Sequence, residues 1–222
     1  MTNTFQDPHY GEATSVDAAS LAPDTFVRTG RAGDGSIIAA VSSDAGQTWT
    51  ASPAAVGASG SGTITVNADA SAVTWAPVGA APLRSADRVR FGAVPGAAGH
   101  LWLAGGDDDE EPYGMWRSTD AGSTWPSVSG FDEADSVGFG KATPGASSPA
   151  IYTAAKYEGV RGVFRSIDDG TSWTRINDDN NQWGWIGAAI EGDPDEFGRV
   201  YIVIGVALSF LHRGPVVSRP NA

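Results

Sequence analysis

One eight-residue pattern occurs three times in this chain and constrains its fold more than any other feature. The pattern is Ser-x-Asp-x-Gly-x-Thr/Ser-Trp, with copies at Ser166–Trp173, at Ser118–Trp125 and in a stretch ending at Trp49. An Asp side chain can cap a tight turn by accepting backbone N–H bonds, a Gly tolerates a positive φ, and a closing Trp can bury its ring under the turn. The pattern therefore predicts structural hairpin connectors built on Asp44, Gly46, Trp49, Asp120, Gly122, Trp125, Asp168, Gly170 and Trp173.

The spacing of the copies gives the size of the repeating unit. Ser118 and Ser166 are 48 residues apart, close to the roughly 40 to 50 residues of one four-stranded propeller blade. The abundance of Gly and Pro, 29 and 13 residues, favours short strands joined by turns rather than helices. The sequence thus predicts an all-β protein, a β-propeller of four-stranded blades.

The copy at Ser166 marks the best-defined blade, and each of the other two copies marks a further blade. The first blade is predicted over Thr14–Ala51 and the second over Arg88–Ser127. The best-defined blade has four predicted strands: Ser136–Lys141, Ala150–Tyr157, Arg161–Ser166 and Ser172–Ile176.

Two further pairs of predicted strands lack the repeated pattern and count as half-blades. One pair covers Thr63–Asn67 and Ala72–Pro77, and the other covers Ile186–Glu191 and Arg199–Ile204. We therefore expect an incomplete propeller of about three full blades plus two half-blades over residues 1–205, followed by an irregular C-terminal tail over 206–222. An incomplete ring leaves open sheet edges that invite pairing.

Composition excludes several function classes. The formal net charge of −12 and the pI near 4.4 disfavour nucleic-acid and anionic-membrane partners. The chain has no Cys and only three scattered His, so we predict no metal site and no cofactor. Its first residues lack the basic and apolar regions of a signal peptide, and the apolar run Val200–Leu211 is too short to span a bilayer.

Acidic clusters are the next candidates for chemistry. The run Asp107–Glu111 could bind Ca²⁺, but it lacks the ligand spacing and the Gly of a calcium loop, and a solvated loop is the favoured interpretation. Asp132, Glu133 and Asp135 precede a predicted strand and are interpreted in the same way.

The repeated pattern resembles the Asp box, or bacterial neuraminidase repeat, of sialidases, sortilin-type receptors and several glycoside hydrolases. The segments around it are more specific. Over roughly Phe5 to Ile202 they resemble the C-terminal propeller of family 74 glycoside hydrolases, the xyloglucanases. The segments that carry this resemblance are Phe5–Ser15, Phe26–Gly30, Leu101–Gly106, Gly162–Ser166 and Gly198–Ile202.

That resemblance implies two tandem seven-bladed propellers holding a β-1,4-glucan with xylose branches between them, in an extracellular enzyme. It also implies inverting hydrolysis by two aspartates, one from each propeller. On this resemblance we expect the N-terminal propeller to be absent from this sequence and the segment that carries the other aspartate to align upstream of Phe5. We also expect about a blade and a half of the family pattern to be missing between Pro77 and Arg88. No catalytic residue is assigned, and the expectation is a hydrolase propeller lacking its catalytic pair.

Two groups of residues are candidates for substrate binding. His9 and Tyr10 lie in a loop before the first strand, where they could line a ligand cleft or pack against a missing partner domain. Trp183 and Trp185 could stack on sugar rings or cover the propeller core. The alternative function is a non-catalytic carbohydrate- or protein-binding propeller. A sialidase is disfavoured because no arginine cluster suits a carboxylate-binding triad.

Overall fold

A computed structural model of the chain describes residues 15–18, 22, 24–31, 37–51, 82–83, 89–106, 112–181, 189–204 and 207–212. These residues form antiparallel strands and one 3-10 turn, Asp179–Asn181. None of the described ranges contains a helix long and apolar enough to cross a membrane. The chain groups into two compact units, Met1–Gly79 and Ala80–Ala222.

The first unit contains one four-stranded sheet. Its strands pair in sequence order, each antiparallel to the next, as in a blade built by a simple meander. Val27, Ala39 and Ala40 are buried in it. The predicted first blade is confirmed, with β1 at Ser15–Ala18, β2 at Phe26–Arg31, β3 at Ile37–Ser42 and β4 at Thr50–Ala51.

The second unit begins with a three-stranded sheet, in which a single bridge between Trp116 and Ser127 stands where a fourth strand is predicted. A complete four-stranded sheet follows. The strands of the first sheet are β5 at Arg90–Ala93, β6 at Leu101–Gly105 and β7 at Gly114–Ser118; those of the second are β8 at Phe131–Gly140, β9 at Ala150–Tyr157, β10 at Val160–Ser166 and β11 at Thr174–Arg175.

The last sheet contradicts the prediction of an irregular C-terminal tail from residue 206. It contains β12 (Ala189–Gly192), β13 (Arg199–Ile204) and a third strand, β14 (Ala207–His212). β14 pairs with β13 from Ile204↔Ala207 to Arg199↔His212. The irregular assignment from residue 206 is therefore wrong for β14, because its backbone hydrogen-bonds to the open edge of β13. Residues 213–222, and the predicted hairpin over 63–77, lie outside the described residues.

The core of the second unit lies between neighbouring sheets. Trp102, Met115 and Phe139 belong to a cluster joining β5–β7 to β8–β11, and Tyr152, Val163, Val200 and Ile202 to a cluster joining β8–β11 to β12–β14. Glycine allows this packing: a Cβ on Gly138 would lie 2.0 Å from the carbonyl oxygen of Ile190. Because β8 and β12 touch backbone to backbone, the sheets stack as successive blades.

Candidate functional site

The three repeated turns, Ser42–Trp49, Ser118–Trp125 and Ser166–Trp173, share one hydrogen-bond network. In the second turn the Ser118 hydroxyl donates to Asp120 Oδ1 over 2.7 Å and accepts from the N–H of Gly122 over 2.8 Å. The backbone N–H of Thr124 donates to Asp120 Oδ1 over 2.9 Å, and its hydroxyl donates to Oδ2 over 2.7 Å. The first and third turns repeat these bonds around Asp44 and Asp168.

These hydrogen bonds hold the carboxylates in their charged form. Donation from the side chain and backbone of residue Thr48 lowers the pKa of Asp44 to about 2, and donation from Thr124 lowers the pKa of Asp120 to about 2. The hydroxyl and N–H of Ser172 lower the pKa of Asp168 in the same way. Both oxygens of each carboxylate thus accept hydrogen bonds from donors within their own turn.

The tryptophans that close the turns differ from expectation, because their rings are half-buried rather than buried. Trp49 donates its indole N–H back to the carbonyl of Gly46 over 3.1 Å. Trp173 packs edge-on against Trp102 of the preceding blade, with ring centroids 6.1 Å apart. Trp102, in β6, is fully buried at 1% exposure.

The third turn also bridges two blades. At its fourth position it has Asp169, where the other turns have Ala45 and Ala121. Arg117 of β7 donates to the carbonyl of Asp169 over 3.1 Å and forms an ion pair with the Asp169 carboxylate. Sequence inspection missed this contact, and its signal was the second Asp in the Asp168-Asp169 pair.

A polar cluster lies at the opposite end of the β8–β11 sheet from this turn. The Asp135 cluster comprises Tyr113, Glu133, Asp135 and Arg161. Tyr113 donates its hydroxyl to Asp135 Oδ1, and Arg161 pairs with both Asp135 Oδ2 and, over 2.9 Å, Glu133. The side chain of Asp135 is 0% exposed.

The solvated-loop prediction for Asp132, Glu133 and Asp135 is therefore wrong. All three belong to β8, which begins five residues before the predicted strand. The register shifts twice, between Phe131 and Glu133 and between Ala134 and Ser136, so Asp132 and Asp135 are extra residues in bulges. Such bulges turn side chains toward new partners: Asp135 turns into the protein, and Asp132 accepts the N–H of Gly159 over 2.8 Å.

The Asp135 cluster is built for structure rather than for hydrolysis. A hydrolytic carboxyl group must contact the glycosidic oxygen or the attacking water. Asp135 is enclosed and its oxygens contact Tyr113 and Arg161, so a polysaccharide cannot reach it. The half-buried groups of the cluster, Glu133 and Arg161, form its solvent-facing edge.

The same end of the sheet carries an ordered turn after β11. Asn177 is buried and accepts the N–H of Val163 over 2.8 Å, and its amide donates to the carbonyl of Asn181 over 2.9 Å. Arg175 pairs with Asp179 over 2.7 Å. This described range ends at Asn181, and the next residues, 182–188, include Trp183 and Trp185.

A second enclosed aspartate closes the loop between β12 and β13. Asp193 accepts the hydroxyl of Tyr201 over 2.6 Å and the N–H groups of Asp195 and Glu196 over 2.8 and 2.9 Å. These donors, with Tyr201 first, lower the pKa of Asp193 to about 2. Asp193 is not among the predicted site residues, although Asp193-Pro-Asp is a turn signal.

The predicted binding residues His9, Tyr10, Trp183 and Trp185, and the acidic run Asp107–Glu111, all lie outside the described residues. Within the described part of the chain, no group of three or more His, Asp or Glu side chains is arranged to hold a metal ion.

Comparison with known proteins gives the family context of this geometry. No protein-family model matches the chain. A xyloglucanase of a Paenibacillus species is 35% identical over 262 aligned residues, covering 89% of this chain and 25% of that protein. Xyloglucanase Xgh74A of Acetivibrio thermocellus is 33% identical over 254 residues, covering 88% of this chain and 30% of that protein. The chain thus spans about a quarter to a third of the curated relatives it matches.

Solved structures agree with the sequence matches. The GH74 enzyme of Niastella koreensis superposes with a TM-score of 0.54 at 27% identity, over 84% of this chain and 35% of that chain. The GH74 xyloglucanase of Xanthomonas campestris gives 0.50 at 28% identity, over 86% and 35%. These matches confirm the predicted all-β propeller fold. By sequence and by fold, the chain belongs to the GH74 xyloglucanase family.

Proposed function

We propose that this chain is a propeller segment of a xyloglucanase-like glycoside hydrolase whose substrate is a β-1,4-glucan bearing xylose branches. The observation that carries the proposal is the 35% identity over 89% of the chain to a protein named as a xyloglucanase. The superposition on two GH74 enzymes supports it at the level of the fold. A polysaccharide is too large to enter a cell, and this substrate favours a secreted protein.

The chain by itself is not expected to hydrolyse the substrate. Inverting hydrolysis requires two carboxyl groups about 6.5–9.5 Å apart, one on each side of the sugar ring. Among the described residues, the repeated-turn aspartates and Asp193 are occupied by their own turns, and Asp135 is enclosed. We infer that the catalytic pair is supplied by parts of the enzyme other than these residues.

We also propose that about a blade and a half of the family pattern is missing between Pro77 and Arg88. The alignment with the Paenibacillus xyloglucanase spans 262 positions, more than the 222 residues of this chain. The relative therefore has residues within the matched span that this chain lacks. The wide interval between Asp44 and Asp120 is consistent with their loss from that region.

The three repeated turns are proposed to be Asp boxes with a structural role. Their shared hydrogen bonds from Ser and from Thr or Ser to one carboxylate support this assignment. In the second unit, the third turn also contacts the blade before it through Asp169 and Arg117. The turns thus fix strand connections and contribute to blade stacking, without a role in the chemistry.

For substrate binding we propose His9, Tyr10, Trp183 and Trp185. Indole rings stack on the apolar faces of sugars, and the ordered turn Asn177–Asn181 leads directly into the segment with both tryptophans. Its buried Asn177 gives that segment a fixed starting point on the blade.

Two assays on the purified 222-residue chain test these proposals. Incubation with xyloglucan should release no reducing sugar; clear endo-cleavage would show that this chain holds a catalytic pair. Xyloglucan in an affinity gel should retard the chain, and Trp183→Ala with Trp185→Ala should abolish the retardation. Ile167→Ala is the matched control, because Ile167 is an exposed apolar residue in the third turn, at the opposite end of the sheet. Equal retardation of all three proteins would contradict the tryptophan site.

A further inference from the structure

Two blades of the second unit have equivalent apolar residues in different surroundings. Through the strand registers, Phe91 of β5 and Val137 of β8 lie opposite the residues that pair with Trp116 and Phe164, which are 48 residues apart, so Phe91 and Val137 occupy one position of the repeat. Val137 is 8% exposed and belongs to the cluster between the first two sheets of the unit. Phe91 is 46% exposed. The same position is thus buried in one blade and open in the other.

The preceding blade is what buries this face of β8. Phe139 lies two residues beyond Val137 and so on the same face. A Cβ on Gly92 of β5 would lie 2.7 Å from the Phe139 ring, and Trp173 packs against Trp102 of β6. At the equivalent position, Phe91 contacts Trp125 of its own blade, edge-on with centroids 6.2 Å apart. We call the surface formed by Phe91 and Trp125 the entry face.

The last sheet of the unit presents the complementary side. In β13, Val200 and Ile202 are buried against the β8–β11 sheet. Residues alternate between the two faces of a strand, so Tyr201 and Val203 lie on the opposite side, where both are half-buried. We call the surface formed by Tyr201 and Val203 the exit face. In each of the two preceding sheets of the unit, the corresponding face packs against the next sheet along the chain.

We propose that a second copy of this chain docks its exit face on the entry face of the first, head to tail. The contact continues an interface that the unit already makes twice within itself, sheet against sheet, through apolar side chains. A contact between two different faces is heterologous, so each copy keeps one face free for another molecule. Burial of a large aromatic side chain such as Phe91 is a favourable contribution of the kind that dominates interface energies.

The first experiment measures the mass of the full chain by sedimentation velocity over a wide range of protein concentrations. We expect the mass to rise with concentration, and Phe91→Asp to raise the dissociation constant at least tenfold. Val160→Asp is the matched control, because Val160 is 45% exposed at the first position of β10, away from both faces. A wild-type chain that stays monomeric throughout, or an equal effect of Val160→Asp, would overturn the proposal.

The second experiment tests the head-to-tail geometry and does not depend on a single variant. Phe91→Asp leaves an intact exit face, and Val203→Asp leaves an intact entry face. At a concentration at which the wild type associates and a tenfold weaker contact does not form, each variant alone should be monomeric, whereas an equimolar mixture should form a dimer that grows no further. A mixture that stays monomeric would overturn the proposal. So would a monomeric wild type that Phe91→Asp destabilises more than Val160→Asp does, since a blade of the same chain would then cover Phe91.

Discussion

At the scale of single residues, each repeated turn places two successive residues in the left-handed region. Ala45, Ala121 and Asp169 have φ of 58°, 57° and 58°, and the glycines that follow have φ of 82°, 87° and 84°. Only the glycine is suited to this conformation, since a residue with a Cβ loses roughly 1–2 kcal/mol there. The hydrogen bonds to the turn aspartate offset this cost.

Gly170 combines that backbone conformation with a close contact between blades. A Cβ on Gly170 would lie 2.3 Å from the Trp102 ring, whereas a Cβ on Gly145, at a φ of 88°, would meet nothing within 4 Å. We expect Gly145→Ala to lower the free energy of unfolding by about 1 kcal/mol and Gly170→Ala by about 2–4 kcal/mol. Urea denaturation measures both, and equal losses would show that Trp102 moves aside without cost.

The turn aspartates predict a defined response to acid. The pKa of Asp120 is 3.8 in its unperturbed state and about 2 in the fold, so its charged form stabilises the fold fully above pH 4. That contribution is lost as the pH falls from 4 towards 2. Asp120→Asn should therefore lower the melting temperature at neutral pH, with a difference from wild type that narrows below pH 4.

Thermal melts between pH 3 and pH 7 measure this difference. Asp179→Asn is the control, because that carboxylate is 80% exposed in its pair with Arg175 and does not cap a repeated turn. Its effect should be small at every pH. A difference for Asp120→Asn that stays constant down to pH 3 would contradict the charged-cap interpretation.

At the scale of elements, strand β8 shows how irregularity places polar groups. Two bulges in ten residues turn Asp132 and Asp135 away from regular alternation. Asp135 thereby joins the segment before β7 to β10 through Tyr113 and Arg161. A buried carboxylate is tolerated only with such partners.

Replacing Arg161 alone should therefore lower the free energy of unfolding more than replacing both Arg161 and Asp135. We expect Arg161→Met to lower the free energy of unfolding by about 3–5 kcal/mol, because the enclosed Asp135 side chain loses its ion-pair partner. Adding Asp135→Asn should recover about 1–3 kcal/mol of that loss, as expected for groups in contact. Denaturant titrations of the two single variants and the double variant give the coupling, and additive effects would contradict a direct interaction.

At the scale of the whole molecule, blade stacking within the second unit depends on contacts between distant segments. Arg117 and Asp169 are separated by 52 residues and join β7 to the turn after β10. Their side chains are 24% and 36% exposed, so the pair is partly screened by water and by salt.

Asp169→Ala places at this position the residue that the other two turns have, and so keeps the turn while removing the bridge. We expect it to lower the free energy of unfolding by about 1 kcal/mol. Since the pair is partly exposed, the loss should shrink in 1 M NaCl. A loss that does not change with salt would indicate that the packing of Asp169, rather than its charge, holds the blades.

The sequence by itself determined the local features. The spacing of the repeated pattern predicted the blades, and the strand Ala150–Tyr157 matches its predicted bounds, because alternation and turn chemistry are local properties. The resemblance of the segments around the turns also pointed to the family, through matches spread over most of the chain.

Only the tertiary structure decided which polar residues are enclosed and which apolar residues are open. Asp135 is buried because bulges and Arg161 enclose it, although its sequence context is that of an acidic loop. Phe91 is exposed although its equivalent Val137 is buried, because a blade face is covered only when another blade packs on it. Burial depends on neighbours far away in the sequence, and no local pattern contains them.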